Sequence, residues 1–330
     1  MSEGLKKVER LRAAIAGEEV DRPPIALWRH FPVDDQDPEA LAKSAIEYQR
    51  AYDLDLIKVT PASSSSVADW GVRDEWRGDP EGTRDYTVRV ISEVKDWRGL
   101  PQLPHDIGKS AEHLACLRAV HRSVGDQIPV LATIFSPLAQ AKHLAGDERL
   151  FEHLHRSAED VEAALETLTR RTIAFVEAAK ATGISGIFYA IQHASYIHFD
   201  EAGYSRFGEP YDHRILEAAG GLWLNLLHLH GEAVMFDLAL RYPVQVVNWH
   251  DRHTPPSLAD ARRIFKGAVC GGLRRWETLV LGSPEQVVAE VKDAVGAVGG
   301  RGMILGAGCV VPVHAPRANL EAARRALDFA

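Results

Sequence analysis

Along the chain, short runs of apolar residues alternate with longer stretches whose apolar positions recur at helical spacing. The runs are Ile25–Trp28, Leu54–Val59, Val130–Phe135, Gly186–Ala190, Leu222–His228, Val244–Trp249, Ala268–Leu273 and Met303–Leu305. They are rich in Val, Ile and Leu, the pattern of parallel strands covered on both faces. Pro38–Tyr52, Ala158–Lys180, Pro284–Val298 and Pro316–Phe329 read as helices between them. Asp37-Pro38 and Ser283-Pro284-Glu285 each supply a capping side chain followed by a first-turn proline, where a missing N–H costs nothing. Eight strands separated by helices predict an α/β chain closed into a (β/α)8 TIM barrel. Met1–Arg12 predicts a charged N-terminal helix. Tyr86–Val94 alternates like a hairpin strand and predicts an insertion after the second strand. No linker or repeat interrupts the pattern, so residues 1–330 are expected to form a single domain.

Composition narrows the function. With 330 residues and 46% hydrophobic content the chain can bury a large core. A formal charge of −8 offers no basic face to a phosphate backbone, so no nucleic acid is expected as partner. No stretch approaches the roughly 18 apolar residues of a membrane helix, and no signal segment opens the chain. Cys116, Cys270 and Cys309 are too few and too scattered for a disulfide framework, which points to the cytoplasm.

Barrel chemistry sits on the loops that follow the C-terminal ends of the strands. Polar residues recur there: Arg29-His30, Gln192-His193, His228-Leu229-His230, His250-Asp251, Gly271-Gly272 and Gly308-Cys309. In an extended segment i and i+2 point the same way, so His228 and His230 can reach one ion, and Cys309 can join them across the mouth. Three protein ligands and an open position suit catalytic zinc; the plainer reading has His228 packed in the barrel and Cys309 as a small buried residue. His250 and Asp251 form either an acid/base pair, with Asp251 orienting His250, or a turn in which Asp251 caps the next helix. Arg29 is expected to clamp a substrate carboxylate, and His193 to line the pocket or sit in a plain loop. Gly271 and Gly272 would allow close backbone approach to a ligand or a tight turn. Ser63–Ser66 reads as a solvated loop, and Lys142-His143 carries no functional signal.

Several segments resemble the uroporphyrinogen decarboxylase superfamily. Arg22-Pro23-Pro24-Ile25-Ala26-Leu27-Trp28-Arg29 resembles its opening strand, and Cys270–Leu273 with Leu281–Val287 its seventh strand and following helix. Leu305–Cys309 with Pro316 and Asn319-Leu320 resembles the last strand and helix. For the decarboxylase proper, only Arg29 matches plainly. The positions of the family's aspartate and terminal histidine fall near Ala62 and at Ala307, which argues against tetrapyrrole decarboxylation. His228-Leu229-His230-Gly231 and Gly308-Cys309 are similar to the H-x-C-G and G-C ligand motifs of the zinc-dependent corrinoid and coenzyme M methyltransferases, with His230 in place of the middle cysteine. The resemblance implies zinc on His228, His230 and Cys309, a small thiol or other nucleophile as substrate, and a corrinoid methyl donor brought by a partner protein. One thiolate instead of two leaves the ion more electrophilic, lowering the pKa of a bound thiol or water further while making a bound thiolate less nucleophilic. The alternatives are a metal-free decarboxylase of a tetrapyrrole or smaller acid, using Arg29 and His250, and a non-catalytic tetrapyrrole or corrinoid carrier.

Overall fold

The computed structural model describes residues 4–329. Eight parallel strands form one sheet: β1 (Ile25–Ala26), β2 (Ile57–Val59), β5 (Val130–Phe135), β6 (Gly186–Ile191), β7 (Leu226–Leu229), β8 (Val246–Trp249), β9 (Ala268–Leu273) and β10 (Met303–Ala307). Their order, β1-β10-β9-β8-β7-β6-β5-β2, brings the first strand beside the last, as barrel closure requires. The seam between β1 and β2 carries no ladder. It is joined by Asp55, whose N–H donates to Ile25 O at 2.8 Å and whose carboxylate accepts from Ile25 N at 2.8 Å.

The expected TIM barrel is therefore observed, with shorter strands where neighbours claim the backbone. The run predicted from Leu222 becomes a strand only at Leu226, because the Asn225 carboxamide bonds Ile187 N and Ala219 O in place of a rung. β1 stops at Ala26, since it is laddered on one side alone. The helices Pro38–Ala51 and Pro284–Val298 open as expected. Asp37 accepts from Ala40 N at 2.8 Å, and Ser283 with Gln286 forms a capping box. The N-terminal helix runs Lys7–Ala16, inside the described residues; Met1–Glu3 of the expected segment lie outside them. The insertion after β2 is a two-stranded antiparallel hairpin, β3 (Arg73–Glu75) and β4 (Asp85–Val88). Among the described residues no helix is long and apolar enough to cross a membrane.

Side-chain parity positions the site. Within the barrel, Ala26, Trp28, Leu56, Leu131, Phe188, Ala190, Leu226, Val246, Ala268, Cys270 and Ile304 pack together as one interior cluster, so even-numbered positions face inward on β1, β2 and β6–β10 and odd-numbered ones on β5. The alternate residues pack outward against the helices in a second, larger core. Continuing each inward row upward leads to Lys58, Thr133, His228 and Asn248, and then to His30, Gln192, His230 and His250 above them.

Candidate metal centre

Four donors meet over the barrel axis. One ligand atom from each of His228, His230, His250 and Cys309 can be chosen so that all lie within 4.8 Å of one another. The loops after β7 and β10 do converge: Cys309 Sγ lies 3.7 Å from His230 Nδ1. Tetrahedral zinc holds N and S donors roughly 3.3–3.6 Å apart, as its bond lengths require, so closing on an ion takes only small side-chain movements.

Three further observations fit an ion. Asn248 Nδ2 donates to Cys270 O at 2.8 Å and Ala307 O at 3.0 Å, which fixes its Oδ1 toward His228 Nδ1 at 2.6 Å. His228 Nδ1–H therefore donates, and its Nε2 lone pair is left for a ligand, the tautomer control usual for metal-binding imidazoles. His250 Nε2 is buried with no hydrogen-bond partner. Burial alone would raise the Cys309 thiol, but hydrogen bonds and charge from His228, with bonds from His230 and His250, hold it well below the ordinary value, favouring the thiolate a metal needs.

His228, His230 and Cys309 form one wall of a cavity of about 280 Å³ that also meets Lys58, Tyr86 and Phe188. Phe188 stacks on His228 with ring centres 5.2 Å apart.

Five expected site residues face elsewhere, three of them by the same one-residue parity. Arg29 donates to Val313 O at 2.9 Å and stacks over Phe31 and Tyr48, and its neighbour His30 lines the cavity instead. His193 turns outward to Asp147 Oδ1 at 3.0 Å, leaving Gln192 in the cavity. Asp251 neither orients His250 nor caps a helix. Both its oxygens accept from Gly272 N, at 3.2 and 3.1 Å, and burial pushes its carboxyl up to about 6; Ser257 caps the next helix. Gly271 and Gly272 serve packing rather than a ligand. A Cβ on Gly271 would lie 2.4 Å from Asp251 Oδ1, and Gly272, at φ +110°, would meet Ala294 at 2.7 Å. His250, expected to act as an acid or base, stands with His228, His230 and Cys309, one ligand atom of each within 4.8 Å of the others.

Other residues at the site were given no role from the sequence. Lys58, Asn248 and His30 sit on inward rows that alternate through strands already predicted. Lys142 and His143, given no role, line the wall from the helix Pro137–Ala145. Ser63–Ser66 is a 3-10 turn, with Ser63 bonded to Tyr86 and Ser64 to Asp74, and not a free loop.

A nearly closed eight-stranded barrel with this histidine and cysteine cluster over its axis defines the class: the chain belongs to the uroporphyrinogen decarboxylase (URO-D) family, whose model matches residues 6–328. Within it, the chain is similar to the Methylcobamide:CoM methyltransferase MtbA of Methanosarcina mazei, at 23% identity over 329 residues and 95% of each chain. The protein of the same name from Methanosarcina acetivorans is 22% identical over 328 residues, again 95% of each. Among solved structures, a methyltransferase from Methanosarcina mazei matches with a TM-score of 0.85 at 19% identity, over 98% of this chain and 99% of that one. A B12-independent methionine synthase from a Shewanella species shares the fold at a TM-score of 0.61 and 11% identity, over 93% and 92%.

Proposed function

We propose that this chain is a metal-dependent methyltransferase that passes a methyl group from a corrinoid donor to a small thiol. The observation that carries the reading is the donor cluster itself, with His228 already locked in its ligating tautomer by Asn248. The relatives' name, Methylcobamide:CoM methyltransferase, supplies the reaction type. His228, His230 and Cys309, with His250 as fourth donor or as the position a substrate displaces, would hold zinc, a borderline ion suited to imidazole and thiolate. Bound there, the ion would lower the pKa of a thiol presented to it and hold the sulfur in place for attack. The chain contributes the rest: Asn248 orients His228, Phe188 walls the site from the side, and the cavity above admits the acceptor.

The cavity volume also bears on the alternatives. About 280 Å³ lies just below the roughly 300–1,000 Å³ of pockets for small ligands and suits an acceptor of a few heavy atoms. The decarboxylase reading used Arg29 for a carboxylate and His250 for a proton. Arg29 faces away, and His250 belongs to the donor set.

Protein purified without chelator is expected to carry about one equivalent of zinc, as a single four-donor site demands. It should methylate simple thiols from methylcobalamin. His230→Ala and Cys309→Ser are expected to lose the metal and the activity while staying folded. His250→Ala separates its two roles, since loss of metal makes it a ligand and retention with loss of turnover makes it a proton carrier. Full methyl transfer by metal-free protein would overturn the reading.

A further inference from the structure

A second cavity, of about 40 Å³, lies behind the mouth, between the C-terminal end of β5 and the helices Gly108–Val124 and Ala158–Lys180. Thr133 and Phe135 line both spaces, so a wall one side chain thick separates them. Ser110, His113, Thr133, Gln140, Arg171 and Thr172 bring six buried polar side chains to the smaller one. A void that served only packing would be lined by apolar groups, because buried polar atoms are costly unless bonded.

Most of these polar groups are satisfied within the chain. Arg171 donates to Asp69, to Ser110 Oγ and to the carbonyls of Pro104 and Ser66. Lys109, at the rim, bonds Glu112 at 2.6 Å and Gln36 O at 3.3 Å. The hydroxyls are taken too: Thr133 donates to Val59 O at 2.6 Å, Thr172 to Leu168 O at 2.8 Å and Ser110 to Asp69 at 3.1 Å. What remains is an imidazole and one amide oxygen. His113 Nε2 is buried without a partner. Burial pushes this imidazole down to about 3, so it stays neutral, with one N–H to donate and one lone pair to accept. Gln140 Nε2 donates to Phe135 O and Thr172 Oγ1, both at 2.9 Å. Because Phe135 O can only accept, the amide's orientation is fixed, and its Oε1 meets no donor among the described residues. Ile134 and Phe175, whose ring centre lies 5.1 Å from that of His113, supply an apolar side.

We propose that this cavity is a second binding site, for a small neutral molecule that both donates and accepts a hydrogen bond, the shared chemistry of short primary amides and secondary alcohols. At roughly 10–15 Å³ for each water-sized group, it has room for about four heavy atoms. The ligand's N–H or O–H would meet Gln140 Oε1, and its oxygen the His113 N–H. An anion finds no free cation there, since Arg171 and Lys109 already have their carboxylates. The site is separate from the metal cluster, so metal-free protein should bind as well as loaded protein.

The test uses four probes of one size: acetamide, 2-propanol, acetone and acetate. Calorimetry ranks their affinities, and crystals soaked at a few times Kd locate them. Acetamide or 2-propanol is expected to bind with a Kd of about 1 mM or tighter, within reach of a well-held ligand this small. Acetone lacks the donor and acetate carries a charge, so each should bind at least about tenfold more weakly, as for one lost hydrogen bond to a buried group. The ratio of amide to alcohol affinity tells which of the two the site takes. His113→Phe keeps a ring and removes both nitrogens, and Gln140→Met keeps the length and removes the oxygen. Each should weaken the better probe at least about tenfold, and either decides the matter if the other folds poorly. Absence of saturable binding, acetone or acetate bound as tightly as the better probe, or affinity kept in both variants overturns the proposal. So does a probe seated only in the mouth, or ordered water alone in the soaked cavity.

Discussion

The two ends of the barrel are both built from buried polar groups, yet they are finished to opposite degrees. At the base, Asp55 is fully buried and every bond it offers is taken: Arg10 at 2.7 Å, Arg22 at 2.7 and 3.3 Å, and Ile25 N at 2.8 Å. Arg10 also grips Asp21, and Leu11 on the same helix joins the barrel interior from below. At the mouth, no carboxylate among the described residues pairs with Lys58, which meets Thr60 Oγ1 instead, and His250 Nε2, His30 Nδ1 and Gln192 Oε1 have no partner. Buried polar groups in proteins are nearly always satisfied. The closed account at the base therefore reads as architecture, and the open one at the mouth as a place reserved for something the chain does not itself supply.

The contrast can be broken most violently at the base. Asp55→Ala removes the acceptor shared by two buried guanidiniums and the seam's side-chain bond. A loss of about 3–5 kcal/mol in unfolding free energy is expected, as for other buried ion pairs deprived of one partner. Urea denaturation measures it, and metal content in the surviving folded protein should be unchanged. A variant as stable as wild type would mean the base is decoration.

A smaller effect is expected at the mouth. Asn248→Ala frees His228 to rotate and change tautomer without deleting a ligand. Metal affinity should fall about 10–100-fold, the usual consequence of losing a group that orients a ligating histidine, with little change in urea midpoint. Competition with a chelator reads this directly, and an unchanged affinity would show that Asn248 only braces Cys270 and Ala307.

A third test concerns Lys58, and its size depends on pH. Burial lowers its pKa from an ordinary 10.5 to about 7. The unfolded chain thus binds a proton that the folded chain has released, between pH 7 and about 10.5. Stability tied to this group rises with pH across that window, by at most about 1.4 kcal/mol per pH unit, and is lost as pH falls toward 7. Lys58→Met should therefore exceed wild type in stability at pH 7, with the gap narrowing as pH climbs to 10. A constant gap would show that Lys58 keeps its charge when folded.

Most of the architecture was legible because it follows from periodicity. β5, β9 and the helices Ala158–Lys180 and Pro284–Val298 run where their apolar patterns put them. Less of the site was legible, for a geometric reason. In a strand, a slip of one residue exchanges inside for outside, and the strand ends where loops begin are where sequence fixes phase least. Arg29 and His30, Gln192 and His193, His250 and Asp251 are three adjacent pairs in which one member faces the cavity or the donor cluster and the other a neighbouring strand, helix or loop. His228 and His230 escaped this ambiguity because they share a phase. Lys142 and His143 lie on a helix, where nothing local tells which turn will overlook the mouth.

The seam between β1 and β2 also sets a clock. β1 forms its ladder with β10, Ile25 beside Leu305, 280 positions further on. A ribosome adding about 5–20 residues per second makes the second of these roughly a quarter of a minute to a minute after the first. Throughout that interval Ile25 and Ala26 have no ladder partner, and β1 must wait beside Asp55 until β10 has been made. The first strand of the barrel is thus among the last secured, and the ring shuts only once β10 is available.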